Sequence, residues 1–302
     1  MKISKRKLIG LAVGVPLIGA LLTGCASGSG QSDAEKGSEG NPVRIGVVGA
    51  SDPQWPAFED AAKDAGISVD IIDFTEYTQP NPALAEGELD LNEFQHIIYL
   101  ANYNVQNDQD LTPIGATAIY PLGLYSKQYQ SVDQIPEGAT VAVPADETNR
   151  ARALGVLQDA GLITLRGDWT AVTDTRDVDE GASKVKVTEL SADQTANSLD
   201  DIAGAVVNND FLKNAGLVGQ QPLAQSDADS ESAKPYINVW VSRAEDKDDE
   251  TYNRLVSIFQ DTQSVQDGLQ EASGNTATLL KTPADELQQL LATTEDQIRS
   301  QH

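Results

Sequence analysis

Val43–Val48, with the sequence VRIGVV, decides the fold. It is a short apolar run entered from Pro42 and left through Gly49 and Ala50. Next comes 53–65, where Trp55, Phe58, Ala61, Ala62 and Ala65 fall on one side of a helix that Gly66 closes. Ile67, Val69 and Ile71 alternate as a second strand. Working outward, 82–86 is a short helix stopped by Gly87, 89–94 a third strand and 97–104 a helix. Strand, helix, strand, helix implies a parallel sheet, because each helix carries the chain back to the start of the next strand. A second unit repeats the pattern: Thr140–Pro144 (TVAVP), a helix over 149–160 ended by Gly161, a strand over 185–190, a polar helix near 193–199 and a strand over 203–207. The fold class is α/β, with two such units in tandem.

Two segments, 118–126 (AIYPLGLYS) and 234–243 (KPYINVWVSR), are extended in character, and each carries a proline in or before an apolar run. They read as paired crossovers between two lobes. The first lobe is then discontinuous, 43–120 with 236–302, and the second is 121–235. A helix over 249–260, with Tyr252, Leu255, Val256 and Phe259 on one face, returns to the first lobe. Thr282 and Pro283 open a last helix through Leu291. The acidic run 245–250 reads as a solvated loop.

The N-terminus reads as an address. Lys2, Lys5, Arg6 and Lys7 precede a 15-residue uncharged run, LIGLAVGVPLIGALL, over 8–22. At ~1.5 Å per residue that run spans ~22 Å, short of the ~30 Å hydrocarbon core, so a signal peptide over 1–24 is the stronger reading than a spanning helix. Leu22, Thr23, Gly24 and Cys25 resemble the lipobox of bacterial lipoproteins, which implies cleavage before Cys25 and lipidation of its thiol. The stretch 25–42 (CASGSGQSDAEKGSEGNP) reads as a lipid-anchored flexible tether, since it holds nothing apolar and large enough to order it. The body is then expected on the extracytoplasmic face of the cell membrane.

Composition excludes several functions. Over 302 residues, 21 Lys plus Arg stand against 46 Asp plus Glu, a formal charge of −25 that opposes nucleic-acid backbones. A single cysteine and two histidines cannot assemble a zinc site, so no metal and no cofactor are expected.

Several motifs, in order and at compatible spacing, resemble the NlpA-type lipoproteins that serve as substrate-binding components of methionine ABC importers. They are YTQPN over 77–81, LDLNEFQH over 89–96 with Tyr99, PLGLYS over 121–126, AVPADETNRARAL over 142–154, LQDAGL over 157–162, LDDIAGAVVN over 199–208 and PYIN over 235–238. The resemblance runs from about Val43 to Leu269. It implies a two-lobed, periplasmic-binding-protein-like clamshell of type II character, closing on one amino acid. The family's pocket residues fall on Tyr77, Phe94, His96, Tyr99, Asn149, Arg152 and Asn208. The implied partners are methionine or a similar amino acid and an ABC permease with its cytoplasmic ATPase, with the receptor itself a monomer.

The residue chemistry agrees with that assignment. Arg152 offers a planar fork of donors for a carboxylate, and Asn149 lies three residues before it on the same face of a helix opening. On position alone, Arg152 also reads as an exposed helix arginine paired with Asp146 or Asp159. Asn208 stands where the 203–207 strand runs out, the usual place for a ligand in an open α/β sheet, and equally where a turn asparagine belongs. Tyr77, Phe94, His96 and Tyr99 suit the walls of a slot for a thioether, or the packing of a core. His96 in particular suits a hydrogen-bonded residue at a helix start.

The chain departs from the family at Asp52–Pro56 (DPQWP), at Arg150 and past Leu269. Alternative ligands are another apolar amino acid or a short methionine-containing dipeptide. Against an anchored hydrolase, no G-x-S-x-G elbow occurs and His96 is the only internal histidine. No enzymatic activity is expected. An adhesion lipoprotein would need no buried Arg152.

Overall fold

In the computed structural model, which describes residues 34–301, the strand β1 (Val43–Val48) is buried along nearly its whole length. Its neighbours explain why. The chain continues through α1 (Gln54–Asp64), β2 (Val69–Phe74), α2 (Pro80–Ala85), β3 (Leu91–His96), α3 (Ile97–Asn107), β4 (Thr112–Ala116) and β5 (Ala118–Ile119). It then runs through β6 (Gly123–Tyr125), β7 (Thr140–Pro144), α4 (Glu147–Asp159), β8 (Lys186–Leu190), α5 (Ala192–Thr195), β9 (Gly204–Val207) and β10 (Ala224–Gln225). It returns through β11 (Asn238–Ser242), α6 (Glu250–Asp261), α7 (Gln263–Ala272), β12 (Thr278–Leu279) and α8 (Ala284–Gln301).

The strands form two five-stranded sheets, β2-β1-β3-β11-β4 and β10-β6-β9-β7-β8. In the first, β1 is parallel to β2 and β3, while β11 is antiparallel to both its neighbours. In the second, β7 is parallel to β8 and β9, and β6 is antiparallel to β9 and β10. Each sheet is therefore mostly parallel with one reversed strand, and the reversed strand is the one reached by a crossover.

Both faces of the first sheet are covered, which is why its strands read as continuous apolar runs. Val43, Ile45 and Val47 of β1 pack with Trp55 and Phe58 of α1, Trp240 of β11 and Phe259 of α6. Val239 and Val241, on either side of Trp240, join Ile97 and Leu100 of α3 and Leu287 and Leu291 of α8 in a core on the other face. Such alternation along β11 is the period of a strand. Gly268 in α7 marks where two helices touch. A Cβ there would lie 2.6 Å from the Gln54 nitrogen of α1.

The structure corrects several expectations. Residues 34–42, read as tether, are folded onto the body: Lys36 Nζ lies 3.0 Å from Asp90, and the Ser68 amide donates to the Gly37 carbonyl at 2.6 Å. The stretch orders itself by borrowing partners from the body, which composition alone does not report. Residues 1–33, with the expected signal peptide and Cys25, lie outside the described residues.

The strand expected over 89–94 runs to His96, and the helix expected from 149 starts at Glu147, because the Asp146 side chain caps it by accepting from the Asn149 amide at 2.9 Å. The second crossover is only partly extended, since Glu231–Tyr236 is a 3-10 helix ahead of β11. The polar helix near 193–199 is split into α5 and a 3-10 turn, Asn197–Asp200. The last helix continues past Leu291 to Gln301, with Ile298 buried against the core that holds α3. No helix among the described residues is long and apolar enough to cross a membrane.

Candidate ligand-binding site

Between the sheets lies a shared apolar cluster that joins Val48, Tyr77 and Phe94 to Tyr125, Val207 and Phe211. The carboxyl end of β3 delivers Phe94 and His96, the first turn of α3 delivers Tyr99, and Tyr77 sits in the turn ahead of α2. From the other sheet, the first two turns of α4 bring Asn149 and Arg152, and the residue after β9 is Asn208. All seven of the residues singled out in the sequence line one cavity. Its volume is about 30 Å³, on a scale where one water takes ~10–15 Å³. That is room for about two or three waters in a narrow slot.

One end of the slot is aromatic. Tyr77 lies 5.8 Å from Phe94 and 6.0 Å from Tyr99 between ring centroids, and Phe94 meets Tyr99 edge-on at 5.8 Å. The Tyr99 hydroxyl donates to the Tyr77 carbonyl at 3.1 Å, which holds the two rings in register.

The other end is polar, and its hydrogen bonds are directional. His96 caps α3 by accepting from the Tyr99 amide on Nδ1 at 3.2 Å, so the proton of the neutral ring sits on Nε2. Burial, with the Arg152 charge adding to it, pushes the His96 imidazole down to about 3, and the ring is neutral at physiological pH. Its Nε2 donates to Asn149 Oδ1 at 3.2 Å, and Asn208 Nδ2 donates to the same oxygen at 2.9 Å. The Asn149 amide nitrogen turns back to Asp146 at 3.1 Å. The polar atoms of Asn149 are thus already engaged, and its place in the site is to fix His96 and Asn208. Asn208 Oδ1, by contrast, is buried and unpartnered.

Arg152 is buried and takes part in none of the ion pairs among the described residues. The exposed pairing with Asp146 or Asp159 does not occur. Its Nη2 donates to the Tyr120 carbonyl at 2.8 Å and to Ser226 Oγ at 3.0 Å, its Nε is unpartnered, and the guanidinium stacks 4.2 Å over the Tyr236 ring. Burial lowers its pKa to about 10, so it stays charged. A cation held out of water without a counter-charge costs several kcal/mol, a cost that an incoming anion relieves.

Sequence reasoning missed Tyr120, Asp210, Ser226 and Tyr236 around this site. Tyr120 and Tyr236 stood inside the crossover segments, where their position between the lobes was the available signal. Ser226 carried none. Arg150 points away, to Glu189 at 3.2 Å and the Ala145 carbonyl. At the other departure, Asp52 pairs with Lys213 at 3.0 Å and Trp55 is core, so neither lines the cavity.

The model of the NlpA lipoprotein family matches residues 43–279. The chain belongs to the NlpA lipoprotein family. Among its relatives in that family, the D-methionine-binding lipoprotein MetQ of Escherichia coli O157:H7 is 37% identical over 255 residues, covering 82% of this chain and 89% of its own. The substrate-binding protein of a methionine transporter from Streptococcus pneumoniae superposes with a TM-score of 0.73 at 34% identity, over 79% of this chain and 95% of that one. A nutrient-binding protein from Burkholderia cenocepacia, solved bound to methionine, gives a TM-score of 0.72 at 33% identity, over 78% and 99%. The two-lobed α/β architecture of the NlpA lipoproteins is that of this chain.

Proposed function

We propose that this NlpA lipoprotein is a non-catalytic, extracytoplasmic receptor that captures methionine between its lobes and delivers it to an ABC permease driven by a cytoplasmic ATPase. The observation that carries the reading is Arg152, a buried guanidinium with no carboxylate partner among the described residues, at one end of a slot whose other end is three aromatic rings. The ligand carboxylate takes the guanidinium and the free Asn208 Oδ1 accepts from the ligand's N–H donors, while the thioether lies against Tyr77, Phe94 and Tyr99, a sulfur–ring contact worth ~0.3–1.5 kcal/mol. His96 and Asn149 position these groups. The lobes are 43–120 with 236–302, and 121–235, and closure is selected by contacts that the ligand makes to both. A lipid on Cys25 anchors the receptor, which acts as a monomer.

The relatives named for methionine support the amino-acid reading. The test is native mass spectrometry of the purified protein, followed by calorimetric titration with L- and D-methionine. A retained mass of methionine, or saturable binding of either enantiomer at one site, is expected. A retained dipeptide would move the assignment to a peptide receptor. Absence of binding to every free amino acid would overturn it.

A further inference from the structure

Two of the residues lining the cavity carry a formal charge, and they are opposite: Arg152 and Asp210. Asp210 lies in the short 3-10 turn Asn209–Phe211, just past Asn208. Its Oδ2 accepts from the Tyr77 hydroxyl at 2.7 Å, and it is partly exposed where it borders the cavity and the adjoining cleft. None of the ion pairs among the described residues includes Asp210. Lys213, three residues on, is turned instead to Asp52 and to the Ser51 carbonyl at 2.7 Å.

A cavity that presents one uncompensated cation and one uncompensated carboxylate, not paired with each other, is the complement of a molecule bearing both charges. Arg152 by itself would accept any small carboxylate. We propose that Asp210 receives the α-ammonium of the bound amino acid and is the residue by which the site separates amino acids from amine-free carboxylates with the same side chain. This assignment rests on the receptor reading above and adds to it the recognition of the second charge.

Burial raises the Asp210 carboxyl to about 7, opposed by the Tyr77 hydroxyl and reinforced by Asp52. Glu93 and Tyr120 are the other titratable groups coupled to this carboxylate. An arriving ammonium favours the ionised form, so binding near pH 7 releases protons from Asp210, and affinity rises with pH through that range.

The test compares methionine with its amine-free analogue, γ-(methylthio)butyrate, by calorimetry on the wild type and on Asp210→Asn. The Asn side chain can still accept the Tyr77 hydroxyl. The wild type is expected to prefer methionine by about 100-fold or more, and Asp210→Asn to lose at least about tenfold of that preference through weaker methionine binding. Retention of the full preference by the variant, or an equal loss for both ligands, overturns the proposal. A second measurement needs no variant: the wild type titrated at pH 6.5–7 in buffers of different ionisation enthalpy releases protons on binding methionine and not on binding the analogue. Equal proton release for both overturns the proposal as well. A wild type that binds both ligands equally well refutes the role of Asp210 and leaves the receptor standing. A wild type that binds neither refutes the receptor and this assignment together.

Discussion

In the proposed receptor, ligand capture turns on Arg152, whose charge is buried, stacked on Tyr236 and in none of the ion pairs among the described residues. Truncating one partner of a buried charge pair costs ~2–5 kcal/mol, so Arg152→Ala and Asn208→Ala are each expected to weaken methionine binding by about tenfold or more. Calorimetry checks this, and wild-type affinity in both variants would reject the pocket. Glu93 makes a different prediction. Its carboxyl is buried, accepts from Thr117 at 2.8 Å, and is pushed up to about 8 by burial, against 4.5 when unburied. A raised folded pKa means stability that is present at low pH and lost as the pH rises from 4.5 through about 8. Glu93→Gln, neutral throughout, is therefore expected to match the wild type in melting temperature near pH 4.5 and to exceed it by several degrees at pH 8, at about 2–4 °C per kcal/mol. A pH-independent difference would contradict the assignment. At this scale the sequence was informative about residue types and silent about environment. Three-residue spacing put Asn149 and Arg152 on one helix face without saying which face was buried. Asp210 reads as part of a polar turn, and it becomes a cavity wall only because Tyr77, 133 residues away in sequence, reaches it.

At the scale of elements, what was legible is what local pattern determines. β1 and β7 are continuous apolar runs because they are covered on both faces, and their bounds are those read from sequence. β4, with the sequence TPIGA, was not read at all: Pro113 and Gly115 weaken any strand pattern, and the segment is made a strand by pairing with β11 from far along the chain. The 3-10 helix at Glu231–Tyr236 was likewise hidden inside an apparently extended crossover. The α1–α7 contact carries its own test. A methyl group on Gly268 would sit 2.6–2.8 Å from backbone atoms of Pro53 and Gln54, which cannot swing aside as a side chain could. Although alanine favours a helix interior by ~1 kcal/mol, Gly268→Ala is expected to lose stability net, by ~1–3 kcal/mol from overpacking. Urea denaturation with a lowered midpoint would agree, and an unchanged or raised midpoint would show that the helices are free to separate.

For the molecule as a whole, a few side-chain contacts span the two sheets. Lys213 reaches Asp52 at 3.0 Å, Tyr77 reaches Asp210 at 2.7 Å, and Gln106 reaches Glu147 at 2.6 Å, around a slot whose own walls come from both sides. The exposed ones among these contribute ~0–1 kcal/mol each, too little to lock the lobes by themselves, so a ligand that touches both sides can decide the balance. That there are two α/β units was legible from the repeated strand–helix order, and that they close on each other only from the family resemblance. The angle and closeness of their approach were not, because they depend on contacts between residues 41 to 161 positions apart. The most direct measurement is a crystal structure of the protein grown with methionine. The account predicts the ligand carboxylate within hydrogen-bond distance of the Arg152 guanidinium and the thioether among Tyr77, Phe94 and Tyr99. Methionine bound elsewhere, or bound here with its carboxylate turned away from Arg152, would contradict it.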